Sequence, residues 1–121
     1  MSLPRNSEHI IQFYDFKREK SHMPTLHIVR QSAYQSDDFA QCVNVLRSND
    51  IIVFIDDGCY NIHHPLLATI DTTAKIELNV IKEHAQARAI TINDTIDIID
   101  IIDMSKLVEL TFTAGRTITW Q

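Results

Sequence analysis

The feature that most constrains the fold of this chain is an apolar run of five β-branched or aromatic residues, Ile51 to Ile55. Such a run suits a strand buried on both faces, as in a parallel sheet covered by helices. The run ends abruptly at Asp56, Asp57 and Gly58. Because ligands gather at the carboxyl ends of strands in open α/β sheets, we expect a functional site at this end of the run.

Length, charge and hydropathy exclude several classes of protein. The 121 residues, 45% hydrophobic and 22% charged, are typical of one globular domain. The net charge of -5 argues against a broad phosphate-binding surface, so we expect no direct contact with nucleic acid. No apolar run approaches the roughly 20 residues that span a bilayer, and the N-terminus has no apolar signal core. We therefore expect a cytoplasmic protein without membrane contact.

The residues that usually hold metals or cofactors occur in the wrong patterns. Cys42 and Cys59 lack metal-ligand spacing, and a cytosolic disulfide is rare, so we expect two free thiols. The six histidines form no HxxxH or HxH pattern, which argues against a zinc site. Glycines only at Gly58 and Gly115 exclude the glycine-rich nucleotide motifs. We expect neither a metal nor a cofactor.

The chain divides into a leader and one domain. Residues 1–23 are polar and charge-mixed, and we expect them to form a mobile or loosely docked tail. Residues 24–121 form the predicted domain. Met23 precedes the first strand pattern and is an alternative start, in which case residues 1–22 are an extension or partly a cloning remnant.

Strand and helix patterns alternate along the domain. The predicted strands are 25–29, 50–55, 76–81, 98–102 and 117–120. The predicted helices are a first helix from an N-cap at Ser36 to about Asn49, then 60–71, 82–88 and 104–113, with Gly115 as the C-terminal stop. This alternation predicts a three-layer α/β domain with a parallel sheet.

Asp56 and Asp57 admit two interpretations. At the end of a strand they could form a metal or phosphoacceptor site, as in a receiver-like ligand-binding domain. That site needs a further acidic residue at a neighbouring strand end and a cation close by, and the third strand ends in Val80-Ile81-Lys82-Glu83, with no aspartate in the phosphoacceptor place. The more economical hypothesis is a turn, because Asp and Gly favour tight turns and aspartates favour the start of a helix.

The two thiols are the remaining candidates for chemistry. Cys59 follows the Gly58 turn near a predicted helix N-terminus, where the helix dipole favours the thiolate. Cys42 lies about two turns into the first predicted helix, on an apolar stripe where free cysteine is commonly a small buried hydrophobe. Local physical chemistry thus favours Cys59 as the reactive thiol.

An ordered set of short motifs resembles the TusB/DsrH family of DsrE-like sulfur-relay proteins over about residues 24–121. The motifs are Thr25-Leu26-His27, the helix Phe39 to Leu46, Asp57-Gly58, Ala87-Arg88, Ile102-Asp103 leading into Leu107 to Thr111, and Trp120. The resemblance implies a DsrE-like domain with a five-stranded, mainly parallel sheet. Position 89 departs from the family pattern, because Ala89 stands where a glycine is common.

The resemblance also implies partners and a pathway. Family members work in heteromeric complexes with two sister subunits, TusC/TusD-like or DsrE/DsrF-like, and with a sulfur-carrier protein. They relay persulfide sulfur toward 2-thiolation of the tRNA wobble uridine or in dissimilatory sulfur oxidation. Independent catalytic activity stays an open question. If purified alone, such a chain is expected to self-associate through the apolar surface meant for its sisters.

Family and local chemistry nominate different thiols. Cys42 matches the position of a cysteine in the DsrH branch, whereas Cys59 matches no family cysteine. We therefore rank Cys42 first as the candidate persulfide acceptor and keep Cys59 as its rival. The alternative is a structural subunit in which neither thiol carries sulfur, because the main sulfur-carrying cysteine belongs to the TusD/DsrE-type subunit.

Overall fold

Five parallel strands form one sheet in this protein, whose computed structural model describes residues 23–92 and 98–121. In chain order the strands are β1 (Thr25–Val29), β2 (Ile51–Phe54), β3 (Glu77–Ile81), β4 (Ile99–Ile102) and β5 (Arg116–Trp120). Their spatial order is β4-β3-β2-β1-β5, and each neighbouring pair is parallel. The expected tail, apart from Met23, and residues 93–97 lie outside the described residues.

Helices cover both faces of the sheet, which confirms the three-layer α/β fold. The α-helices are α1 (Asp38–Asn44), α2 (Lys82–Ala87) and α3 (Met104–Thr113), and the 3₁₀ helices are η1 (Asp56–His63), η2 (Pro65–Thr69) and η3 (Thr72–Ala74). Buried residues of α1, η1 and α2 pack in one core, and those of α3 pack in a second core. We call the two sides of the sheet the α1 face and the α3 face. No helix among the described residues is long and apolar enough to cross a membrane.

The central strand β2 is buried along its whole length, as its sequence predicts. Ile52 and Phe54 point to the α1 face, where Phe54 meets the ring of Phe39 edge-on at 5.2 Å between centroids. Ile51 and Val53 point to the α3 face. The period of two along a strand therefore supplies both cores from one continuous apolar run.

The first helix is shorter than its apolar stripe predicts. The N-cap of α1 is Asp37 rather than the predicted Ser36, whose Oγ accepts the Asp38 N–H at 3.0 Å. The helix ends at Asn44 rather than near Asn49. Beyond it, the Asp50 carboxylate accepts the backbone N–H of Arg47 at 3.1 Å. Side-chain bonds of this kind compete with the helical ladder, and Asn49, with φ of 72°, completes the turn.

The predicted helix over 60–71 is two 3₁₀ helices, η1 and η2, separated at His64. Pro65 explains the break, because its ring clashes with the carbonyl of residue i−4 in a continuous helix. Pro65 instead occupies the first position of η2, where His64 Nδ1 accepts the Leu66 N–H at 2.9 Å.

Both glycines allow another segment of the chain to approach closely, and neither has a left-handed backbone. A Cβ on Gly58 would lie 2.0 Å from the carbonyl oxygen of Val29, which no side chain tolerates. A Cβ on Gly115 would lie 2.7 Å from the Cβ of Met23, while the Gly115 N–H donates to the Pro24 carbonyl at 2.8 Å. Gly115 has no positive φ, so the expected glycine stop of α3 is wrong in its mechanism although the helix ends where predicted.

Left-handed backbone occurs instead at non-glycine residues, among them Ala89 with φ of 55°. Its N–H donates to the Gln86 carbonyl at 3.0 Å and closes the turn after α2. A Cβ in this region costs roughly 1–2 kcal/mol. Ala89 thus adopts a turn conformation that glycine would adopt without strain.

Replacing Ala89 by glycine should therefore stabilise the protein. Relief of the left-handed strain outweighs the extra entropy of glycine in the unfolded chain, so we expect Ala89→Gly to raise the free energy of unfolding by about 0.5–1 kcal/mol. Equilibrium denaturation in urea measures the change.

Ala87→Gly is the matched control, because Ala87 is an exposed alanine in the last turn of α2. This variant should lower the free energy of unfolding by roughly 0.5–1 kcal/mol. Equal effects of the two substitutions would show that Ala89 is not strained.

Candidate functional site

Cys42, the first-ranked thiol, is fully buried in the core of the α1 face. Helix α1 directs it inward together with Phe39. Burial raises the pKa of the Cys42 thiol to about 12, and the negative charge of Asp50 acts in the same direction. In this conformation the thiol is a protonated, solvent-excluded core residue.

Cys59, the rival thiol, is also fully buried, near the start of η1. Its Sγ donates to the Phe54 carbonyl oxygen at 3.6 Å. Burial raises the pKa of this thiol to about 11; the cation of Arg88 opposes the rise, and the nearby Asp56 and Asp57 charges add to it. The expected stabilisation of a Cys59 thiolate at a helix start is therefore wrong, because desolvation dominates the local field.

Both thiols belong to the same core, packed on the strand that separates them in sequence. Cys42 reaches it from α1 and Cys59 from η1. The structure thus brings the two candidates to one face of the sheet and places both away from solvent.

Ion pairs occupy the aspartates at the carboxyl end of β2. Arg30 Nε donates to Asp56 at 3.0 Å, and Arg88 Nε donates to Asp57 at 2.8 Å. His84 Nδ1 accepts the backbone N–H of Asp56 at 3.0 Å. These contacts connect the loop after β1, the start of η1 and α2, and they support the turn interpretation of the acidic pair.

An open cleft of about 380 Å³ lies at the same edge of the sheet. Its lining residues are Ser32, Tyr34, Gln35, Asp57 and Tyr60. Within residues 23–92 and 98–121, no group of three His, Cys, Asp or Glu side chains is arranged to hold a metal ion.

A buried hydrogen-bond network joins Asp50, His27 and Trp120. It was not predicted from the sequence. His27 Nε2 lies 3.0 Å from Asp50 Oδ2, and Trp120 Nε1 donates to His27 Nδ1 at 3.1 Å. Because the indole N–H can only donate, His27 must accept at Nδ1 and carry its proton on Nε2, which donates to the carboxylate. The His27 and Asp50 side chains are almost fully buried.

The sequence signal for this network was the presence of Leu26-His27 and Trp120 among the family motifs. No local sequence pattern indicated a role for Asp50. Asp50 also accepts the backbone N–H of Thr25 at 3.0 Å. The network is structural, because both ring nitrogens of His27 are buried and already hydrogen-bonded, one to Asp50 and one to Trp120.

A sequence model of the DsrH-like proteins matches residues 31–116. The match covers the loop after β1 from residue 31 onward, both thiols, the Arg88–Asp57 ion pair and α3. The chain belongs to the DsrH-like family. His27 and Trp120 lie just outside the matched residues.

Among solved structures, this DsrH-like protein is similar to the YchN protein of Escherichia coli. The TM-score is 0.64 at 17% sequence identity, over 81% of this chain and 100% of the other. This likeness supports the fold described above. A search of curated protein sequences finds no match.

The burial of both thiols predicts slow labelling of the native protein. Because burial raises the pKa of Cys42 to about 12, almost all of this thiol is protonated at pH 8. We expect iodoacetamide to modify Cys42 and Cys59 at least 100-fold more slowly in the folded protein than in guanidinium chloride. Peptide mass spectrometry over time assigns each thiol; rapid native labelling at pH 8 would contradict the burial.

Removing the charge of Asp50 should destabilise the fold. In Asp50→Asn an amide N–H₂ must replace one of the two oxygens that accept from Thr25, Arg47 and His27. Because hydrogen bonds to a charged group contribute more than neutral ones, we expect a loss of roughly 2–3 kcal/mol in the free energy of unfolding. Asp100→Asn, at an exposed position of β4, is the control and should change stability by less than about 0.5 kcal/mol.

Proposed function

We propose that this DsrH-like protein is a subunit of a cytoplasmic sulfur-relay complex and that a sister subunit, rather than this chain, carries the sulfur. Family membership supports the sulfur-relay part of the proposal. The single observation that supports a non-carrying role is the complete burial of both thiols, each with a raised pKa.

The chemistry of the relay explains why burial matters. In persulfide transfer an acceptor thiolate attacks the terminal sulfur of a donor persulfide. A new S–S bond forms, the donor S–S bond breaks, and the donor leaves as a thiolate. The acceptor must therefore be ionised and reachable. Cys42 and Cys59 meet neither condition in the described conformation, so the acceptor is better sought on a sister subunit.

The pathway that we propose is 2-thiolation of the tRNA wobble uridine, with dissimilatory sulfur oxidation as the alternative. The partners are two sister subunits, TusC/TusD-like or DsrE/DsrF-like, and a sulfur-carrier protein. The net charge of -5 supports a role in protein contacts rather than direct RNA binding.

A second candidate function is persulfide acceptance by Cys42 after local opening of α1. Its position on the first helix favours this candidate, and α1 has only seven residues, so opening it breaks few backbone hydrogen bonds. Cys59 stays the rival, because Arg88 favours its thiolate and its pKa of about 11 is the lower of the two.

Alanine substitutions separate the two candidates. We expect the double variant Cys42→Ala/Cys59→Ala, assembled with the sister subunits, to keep its sulfur-transfer rate within about twofold, since neither thiol lies on the path of sulfur. Mass spectrometry of 2-thiouridine in tRNA measures the output. The matched control is alanine at the sulfur-carrying cysteine of the sister subunit, which should abolish transfer.

Loss of transfer in the double variant, with the complex intact by size-exclusion chromatography, would contradict the non-carrying role. The two single variants would then assign the acceptor. Addition of one sulfur atom to Cys42 or Cys59 after incubation with a persulfide donor would contradict it independently.

A further inference from the structure

Helix α3 carries an apolar stripe on its outer side. Met104, Val108 and Phe112 are spaced by four residues, so they follow one side of the helix. They are 44%, 52% and 83% exposed. Phe112 is thus a nearly bare aromatic ring, which is unusual for the surface of a soluble domain.

Within residues 23–92 and 98–121, neither core of the sheet includes this stripe. Leu107 and Leu110 are the buried residues of α3 and pack on the sheet with Leu26 and Val53. Single exposed apolar residues are common, but three in register on one helix mark a contact surface. The stripe therefore has no role in the core of the α3 face.

Carboxylates outnumber cations on and next to α3 among the described residues. Asp103 caps α3 by accepting the Lys106 N–H at 2.9 Å, and Glu109 lies on the helix itself. Asp100 lies on the α3 face of the edge strand β4, because the preceding Ile99 packs in the core of the α1 face and side chains alternate along a strand. Lys106, the cation of α3, already donates to Glu109 at 2.9 Å.

We propose that the outer surface of α3, formed by Met104, Val108 and Phe112, docks a protein partner whose contact surface is apolar at its centre and rimmed by lysine or arginine. The inference rests on the proposed function, in which this partner is a sister subunit of the relay complex. The net charge of -5 and the carboxylates on and beside α3 favour a basic partner by complementarity, and the stripe supplies the apolar contact.

A second copy of this chain fits the surface poorly. Each copy has a net charge of -5, and a two-fold contact through α3 would bring the same carboxylates together. Such like-charge contacts weaken the self-association expected of the chain alone and favour a different chain as the partner.

Val45 offers a matched control for the test. It is a valine with 51% exposure, just after α1, whereas Val108 has 52% exposure on the stripe. The experiment compares full-length wild type, Val108→Glu and Val45→Glu. Isothermal titration calorimetry measures Kd for the sister subunits of the same organism, and sedimentation velocity measures self-association of the chain alone.

We expect Val108→Glu to raise Kd at least tenfold and Val45→Glu to change it less than twofold. Glu109→Lys should also weaken binding, and the wild-type Kd should rise with salt. Circular dichroism checks each fold. If Val108→Glu unfolds, Phe112→Gln replaces it, because Phe112 is too exposed to support the core.

The other outcomes distinguish failure of the docking site from failure of the proposed function. Wild-type binding that Val108→Glu or Phe112→Gln leaves unchanged would overturn the docking site while leaving the proposed function intact. Loss of self-association without loss of partner binding would identify a second copy as the occupant and would also overturn it. A wild type that binds no sister subunit would overturn the proposed function together with the docking site.

Discussion

The buried carboxylate of Asp50 is the interaction on which most of this structure depends. It accepts hydrogen bonds from the Thr25 N–H, the Arg47 N–H and the His27 ring, and His27 in turn accepts from Trp120. One side chain thereby joins β1, the turn after α1 and the edge strand β5. A buried carboxylate is tolerated only when it is so fully bonded, so these elements must form together.

The same arrangement determines the state of the thiols. Asp50 holds negative charge near Cys42, and the core that forms around β2 removes both cysteines from water. The sheet edge that first suggested chemistry is occupied by ion pairs of Arg30 and Arg88. The exposed apolar stripe on the outer side of α3 suits recognition of another subunit better than sulfur chemistry.

Periodicity predicted the strands and α3 closely because those elements follow local rules. Strand β2 is apolar throughout since both its faces are buried, and α3 has the predicted bounds. The first helix ended early because Asp50, a residue outside it, captured the Arg47 N–H. The glycines were harder to interpret, because close approach of Val29 to Gly58 and of Met23 to Gly115 is a contact between segments distant in sequence.

The sequence by itself determined the α/β class and the resemblance that the family match confirms. Only the tertiary structure decided that burial raises the pKa of Cys59, that His27 belongs to a structural network, and that Phe112 is exposed. The physical reason is the same in each case. Helical and strand periods are local properties, whereas solvent access and electrostatic environment depend on neighbours that folding brings from elsewhere in the chain.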